Sequence, residues 1–212
     1  MEWEKKFILQ QSQITEEVGE EQNFTSNHED KKNHILDKME TIDNIKTRRS
    51  RRLFLDKEIP EEIINKILEC AINAPSSMNC QPWHFVIVKD KNIKEKLADL
   101  KTEHNQKHIQ TAPVSIIVCV DKEKSPSRWI EDGVTATENI LLASHDLGLG
   151  AVYISGFSPS DEEVTIKLKQ VLQLPENIIP IVIIPIGYPN PEEKLEEKNL
   201  IELNKILHFD KW

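Results

Sequence analysis

The run Val114-Ser115-Ile116-Ile117-Val118-Cys119-Val120 has almost no polar side to turn toward water. As a strand it has to be covered on both faces, which commits the chain to a layered domain of helices packed over a sheet. The flanking segments supply those layers. Pro60 sits at a first-turn position, Glu61 and Glu62 suit a helix N-terminus, and Ile63, Ile64, Ile67, Leu68, Ala71 and Ile72 mark one apolar face that ends before Pro75. His84–Lys89 reads as a strand, and Asp90 caps a helix with Ile93, Leu97 and Leu100 at its buried positions. A long helix rich in Ala and Leu runs from roughly Asp132 to Leu147. Gly150–Ser155 and Ile179–Gly187 read as strands, with a Ser160/Glu163 capping box opening the helix between them. An N-terminal helix is expected over Met39–Lys46. Strands and helices alternate, but the pattern leaves parallel and antiparallel pairing open, so it supports a layered α/β or α+β domain.

The 212 residues are 38% apolar, enough for one domain with a full core, and carry a formal net charge of -9. An acidic surface repels the backbone of nucleic acids and anionic membranes, so neither is an expected partner. The first residues are mixed in charge, without a signal-peptide apolar run, and no later stretch is long enough to span a membrane. Cys70, Cys80 and Cys119 are widely spaced with no CxxC, which argues against a disulfide framework and a zinc site and favours a reducing cytoplasm. Residues 1–38 hold Glu16, Glu17, Glu20, Glu21, Glu29 and Asp30 with few large apolar side chains, and read as an acidic extension with too little to bury to order itself. Met39 is a candidate functional start, and the domain proper is expected over residues 39–212.

The chain has only six glycines, at 19, 133, 148, 150, 156 and 187, so neither GxxxxGK[ST] nor GxGxxG is present. Gly148-Leu149-Gly150 follows a helix and precedes a strand, the reverse of a dinucleotide-binding turn, and Gly148 reads as a helix C-cap. Any nucleotide phosphate must therefore be held by side chains. Lys46-Thr47-Arg48-Arg49-Ser50-Arg51-Arg52 concentrates positive charge in an acidic chain, its guanidinium forks match phosphate oxygens, and Ser50 adds a hydroxyl donor. Taken alone, the cluster reads equally well as a solvated basic turn. Ala74-Pro75-Ser76-Ser77-Met78-Asn79-Cys80-Gln81-Pro82-Trp83 is a stiff loop between prolines, with Ser76, Ser77 and Asn79 as donors at a helix-to-strand junction. Elsewhere plain structural readings prevail. His104 and His108, one helical turn apart, lack a third ligand and read as a solvated helix face; Cys80 reads as a small spacer and Trp129 as a packing residue; His145 and His208 have no nameable partner. No metal site is expected.

Together and at this spacing, the arginine cluster and the proline-flanked loop resemble the FMN-binding nitroreductase family. In that family an RRSxR-type segment holds the flavin phosphate, and a PSSxNxQPW loop from the partner subunit lies along the flavin and its ribityl chain. The resemblance covers roughly Met39 to Trp212. Trp129, Asp132, Asn139, Leu142 and Ala143 resemble the family's long dimer-core helix, and Leu174-Pro175-Glu176-Asn177 and Pro185-Ile186-Gly187-Tyr188-Pro189 its later segments. It implies an α+β sandwich, a central, mainly antiparallel β-sheet flanked by helices, in an intertwined homodimer with FMN at the interface. It also implies that Arg48, Arg49, Ser50 and Arg52 hold the phosphate while Arg51 faces solvent, and that Pro75, Ser76, Ser77 and Asn79 lie along the flavin. Ile154, Ser155 and Gly156 would stand at the flavin N5 edge, where backbone N–H groups bond the ring and Gly156 permits close approach. Gly156→Val is accordingly expected to block that edge and leave folding largely intact. Lys198, with Lys194 second, would return to the phosphate as a point charge where the family more often has Arg.

The activity so implied is an FMN-dependent oxidoreductase. It passes hydride from NADH or NADPH through flavin N5 to a nitroaromatic, quinone or related small-molecule acceptor in ping-pong fashion, and no side chain acts as general acid or base. Two other readings stand beside it. One is another FMN enzyme of the superfamily, a reductive dehalogenase or flavin-fragmenting type, for which Lys101–Ala112 is the lid candidate, although it lacks zwitterion-binding pairs. The other is a non-catalytic flavin-binding protein with the acidic N-terminal segment as its docking element.

Overall fold

The computed structural model describes residues 40–100, 106–157 and 162–212. The acidic extension, Met39, His104 and the Ser160 of the expected capping box lie outside the described residues. The elements are α1 (Thr41–Thr47), α2 (Glu61–Ile72), β1 (Trp83–Val88), α3 (Lys91–Asp99), α4 (Lys107–Thr111), β2 (Val114–Asp121), α5 (Trp129–Asp146), β3 (Gly150–Ala151), β4 (Ile154–Ser155), α6 (Glu162–Leu172) and β5 (Ile178–Gly187).

β2 is buried along its whole length, as its composition demands. It lies between β1 and β5, and the far edge of β5 takes both β3 and β4. Every one of these pairings is antiparallel. His84 stands opposite Cys119 and Val118 opposite Val182, with a register shift between Val118 and Cys119. The two-residue period of a strand then sorts β2 into two cores. Val114, Ile116, Val118 and Val120 pack with Ile64, Ile67 and Ala71 of α2 and Ile140 and Leu141 of α5. Ile117 and Cys119 pack with Leu97 of α3, Ile109 of α4 and Leu168 of α6. The result is the α+β sandwich, a sheet covered by α2 and α5 on one face and α3, α4 and α6 on the other. Burial pushes the Cys119 thiol up to about 12, so it behaves as a core residue.

Three details differ from the sequence pattern. The strand expected over Gly150–Ser155 is interrupted at Val152-Tyr153, so β3 and β4 are separate two-residue pairings on β5. α5 begins at Trp129, a turn early, because the Asp132 N–H reaches Arg128 O at 2.9 Å and Arg128 pairs with Glu131 at 3.0 Å. Ile72 is 52% exposed: five residues past Ile67, it lies about 140° round the helix from the buried stripe. The end of α5 follows expectation. Gly148 has φ 73, its N–H donates to His145 O at 3.0 Å, and the Leu149 N–H reaches Ser144 O at 2.8 Å, the bond pattern of a Schellman C-terminus. No helix among the described residues is long and apolar enough to cross a membrane.

Candidate functional site

α1 stops at Thr47, and Arg48 leaves it with φ -50 and ψ 133. The extended segment that follows is pinned to the sheet. Ser50 bridges Ala151, the Arg51 N–H donates to Ala151 O at 3.0 Å, and Phe54 bridges Pro189. Held this way, Arg48, Arg49, Ser50 and Arg52 line one cavity of about 570 Å³ together with Lys194 and Lys198 from the segment after β5. All six were singled out from the sequence. Arg51 is not the solvent-facing member: it is half-buried, its stem packs on Gly150, and its Nη1 lies 3.6 Å from Glu193 Oε2. The exposed neighbour is Arg52.

The cavity walls carry five cations, Arg48, Arg49, Arg52, Lys194 and Lys198, against the two carboxylates Glu193 and Glu196. In a chain of net charge -9, that is a local reversal of sign. Lys198 Nζ donates to Lys46 O, and Arg49 donates to Glu196 O, so the C-terminal segment is strapped over the arginines. The first bond also satisfies a backbone carbonyl in the last turn of α1. Sequence reading missed two participants. The Glu193 carboxylate accepts the Arg52 N–H at 2.7 Å, and its only sequence signal is its place beside Lys194. His145, in the last turn of α5, has Nε2 3.0 Å from Thr47 Oγ1; burial first, then Arg48, Arg51 and Lys198, hold its pKa below the usual imidazole value. His108 also departs from expectation. It is buried, with no hydrogen-bond partner for Nε2 among the described residues, and burial, then Arg52, lowers its pKa against the opposing pull of Glu193.

The proline-flanked loop forms a single 3-10 turn over Ser77–Asn79. Met78, Asn79 and Gln81 all take positive φ, at 50, 56 and 48. The Ser77 N–H donates to Asp132 Oδ1 at 2.8 Å, Thr135 Oγ1 donates to Pro75 O at 3.0 Å, and the Gln81 N–H donates to Ser76 Oγ at 3.0 Å. Gln81 Nε2 donates to Asn79 Oδ1 at 2.9 Å. The loop is thus fastened to the first half of α5.

The Ile154-Ser155-Gly156 segment sits close by in the fold, since Phe157 meets Trp129 of α5 edge-on at 5.0 Å. Gly156 has a task the sequence did not disclose. Its N–H donates to Ile181 O at 2.7 Å, and a Cβ there would stand 3.2–3.3 Å from the β5 backbone at Pro180–Val182. Its missing side chain is therefore accounted for by sheet packing. Ile154 is buried in the core, and the exposed Ser155 donates through Oγ to Phe157 O at 2.6 Å.

The second half of α5 meets the arginine segment. Glu138 Oε1 is 3.8 Å from Arg48 Nε, Leu142 O accepts from Asn44 Nδ2 at 3.1 Å, and His145 faces Thr47. One helix therefore carries all three candidate segments along its length. The walls of the arginine cavity include neither Pro75–Asn79 nor Ile154–Gly156. Among the described residues no group of three or more His, Cys, Asp and Glu is placed to hold a metal, and Cys70, Cys80 and Cys119 are free thiols.

Residues 45–112 and 101–188 match the sequence profile of the Nitroreductase family. The chain is 40% identical over 194 residues to a Methanothermobacter thermautotrophicus protein provisionally named an NADH dehydrogenase/NAD(P)H nitroreductase, covering 89% of this chain and 98% of that one. Its fold is similar to the solved structure of an FMN-dependent nitroreductase from Clostridium difficile R20291, with TM-score 0.73 and 33% identity over 81% of this chain and 99% of that one. It is also 25% identical to human iodotyrosine deiodinase 1 over 227 residues, 92% of this chain and 77% of that protein.

Proposed function

The chain belongs to the nitroreductase family, and from that premise we propose that it is an FMN-dependent oxidoreductase using NADH or NADPH to reduce nitroaromatic, quinone or related small-molecule acceptors. One observation carries the reading: the cationic cavity, walled by Arg48, Arg49, Ser50, Arg52, Lys194 and Lys198, in a chain with no glycine-rich phosphate loop. Its donor set fits a phosphate monoester, which near neutral pH carries about 1.5–2 negative charges and offers oxygens to planar guanidinium forks. FMN, when bound, supplies the two-electron carrier between nicotinamide and acceptor.

The chain's own residues bind and orient. Arg48, Arg49, Ser50 and Arg52 hold the phosphate, and Lys198 and Lys194 close over it as point charges. Pro75, Ser76, Ser77 and Asn79 lie along the ribityl chain and ring, and Ile154, Ser155 and Gly156 at the N5 edge. The Gly156 N–H is engaged by Ile181 and Ser155 Oγ by Phe157 O, and Ser155 is the exposed member of that segment. A homodimer completes the site. Two observations support this: the loop and the N5-edge segment are absent from the walls of the arginine cavity, and Ile42, Ile130, Val134, Leu200, Phe209 and Trp212 stand exposed for a partner to cover. Three free cysteines suit a reducing cytoplasm.

The direct test is Arg48→Ala and Arg52→Ala, each expected to weaken FMN affinity by about 1.5–3 kcal/mol in a flavin-fluorescence titration, the scale of hydrogen bonds to a charged group. Unchanged affinity in both variants would show that the cluster is surface charge. The likeness to a deiodinase favours reductive dehalogenation as the second reading. Halotyrosine consumed faster than nitroaromatics or quinones in the reconstituted protein would select it.

A further inference from the structure

We propose that Asp132 is the positioning residue for the loop at residues 75–81, acting through a polar ladder along one face of α5; this rests on the reading above that the loop meets the flavin. Asp132, Thr135 and Asn139 are spaced i, i+3, i+7, so they line one side of the helix. Each engages the connection out of α2. Asn139 Nδ2 donates to Cys70 O at 2.9 Å, in the last turn of α2; the single Thr135 hydroxyl proton is shared between Asp132 O of its own helix at 2.7 Å and Pro75 O at 3.0 Å; Asp132 Oδ1 accepts the Ser77 N–H at 2.8 Å. The ladder ends where the backbone turns left-handed at Met78, Asn79 and Gln81.

Residues with a side chain are held at such φ values only where their surroundings over-determine them, and such positions gather at ligand-binding segments. Asp132 is only 4% exposed, and its Oδ2 has no hydrogen-bond partner among the described residues. A buried, half-satisfied carboxylate is a costly way to fill space. What it gains is a charge-assisted bond that fixes the Ser77 backbone, and with it the direction of the Ser76, Ser77 and Asn79 side chains. It caps nothing in its own helix: the N-cap of α5 is Arg128, without a side-chain bond.

Native-state hydrogen exchange on the full chain without flavin tests the clamp itself. In Asp132→Ala, amides 76–81 should exchange about tenfold faster or more while β2 and β5 keep their protection, and Asp132→Asn, which retains an acceptor oxygen, should restore most of the difference. FMN titration then tests what the clamp is for. The Kd should rise about tenfold in Asp132→Ala and stay within about threefold of wild type in Asp132→Asn. Unchanged loop exchange in Asp132→Ala overturns the proposal, as does faster exchange with unchanged FMN affinity. Should Asp132→Ala fail to fold, Thr135→Val stands in: faster exchange at 76 and 77 supports the ladder, and none overturns it. Wild-type protein that binds no FMN would defeat the flavin reading alone, leaving the clamp to be decided by exchange.

Discussion

Within the arginine cavity, attraction and repulsion come from neighbouring side chains. Glu193 orders the cradle by accepting the Arg52 N–H, yet it puts a carboxylate among groups assigned to an anion. Glu193→Gln keeps an acceptor oxygen and removes the charge, so FMN should bind more tightly by up to about 1 kcal/mol, with the gain shrinking as salt is added. Weaker binding at low salt would mean that the charge of Glu193 organises the arginines more than it repels phosphate. Behind the cradle, His108 and His145 are held below the ordinary imidazole pKa, by burial first and then by Arg52 and Arg48 respectively. As pH falls below about 6.5, unfolded histidines take up protons that these two refuse, so stability should drop toward their lowered folded pKa and level off beneath it. The fall in Tm between about pH 7 and pH 5 should be shallower in His145→Asn than in wild type; equal slopes would show that His145 titrates normally. The arginines stood out as adjacent like charges in an acidic chain, and only the proline-flanked loop at its spacing gave them a candidate role. Glu193 and His145 did not stand out, because they reach Arg52 and Thr47 across 141 and 98 residues.

α5 organises the candidate site, binding the proline-flanked loop with its first half and the arginine segment with its second. Its composition announced a long helix, and its polar face announced nothing, since Asp132, Thr135 and Asn139 acquire partners only when α2 is packed alongside. For β2 the reverse holds: an apolar run without a polar face can only be central. Pairing direction was illegible, because the same run satisfies a parallel or an antiparallel neighbour and the connections decide. Gly156 shows that a close approach legible in the sequence can have a second neighbour. Close approach was expected at the flavin ring, and the fold adds one to the β5 backbone. Gly156→Val is therefore expected to destabilise the fold by about 1–3 kcal/mol in urea denaturation, contrary to the expectation of intact folding, because a branched side chain would press on a strand. Wild-type stability in that variant would restore the ring-edge explanation.

At the largest scale, the described residues form an antiparallel sheet with helices on both faces, a cationic cavity near the junction of α1 and the end of β5, and exposed apolar residues along α1, α5 and the C-terminal segment. The family and the sandwich could be read from four short segments in order. The same segments carry the expectation of a site shared between two copies, and the single chain agrees with it only in that its arginine cavity is walled without residues 75–79 or 154–156. Light scattering of the purified protein should give a dimer, and a monomer that still retains FMN would contradict a site completed by a partner. The central claim is tested most directly by anaerobic spectrophotometry of the protein reconstituted with FMN and freed of excess flavin. The flavin absorption should persist through desalting, bleach on addition of NADH or NADPH, and return when a quinone or nitroaromatic is supplied. Flavin that washes away, or colour that neither nicotinamide bleaches, would contradict it.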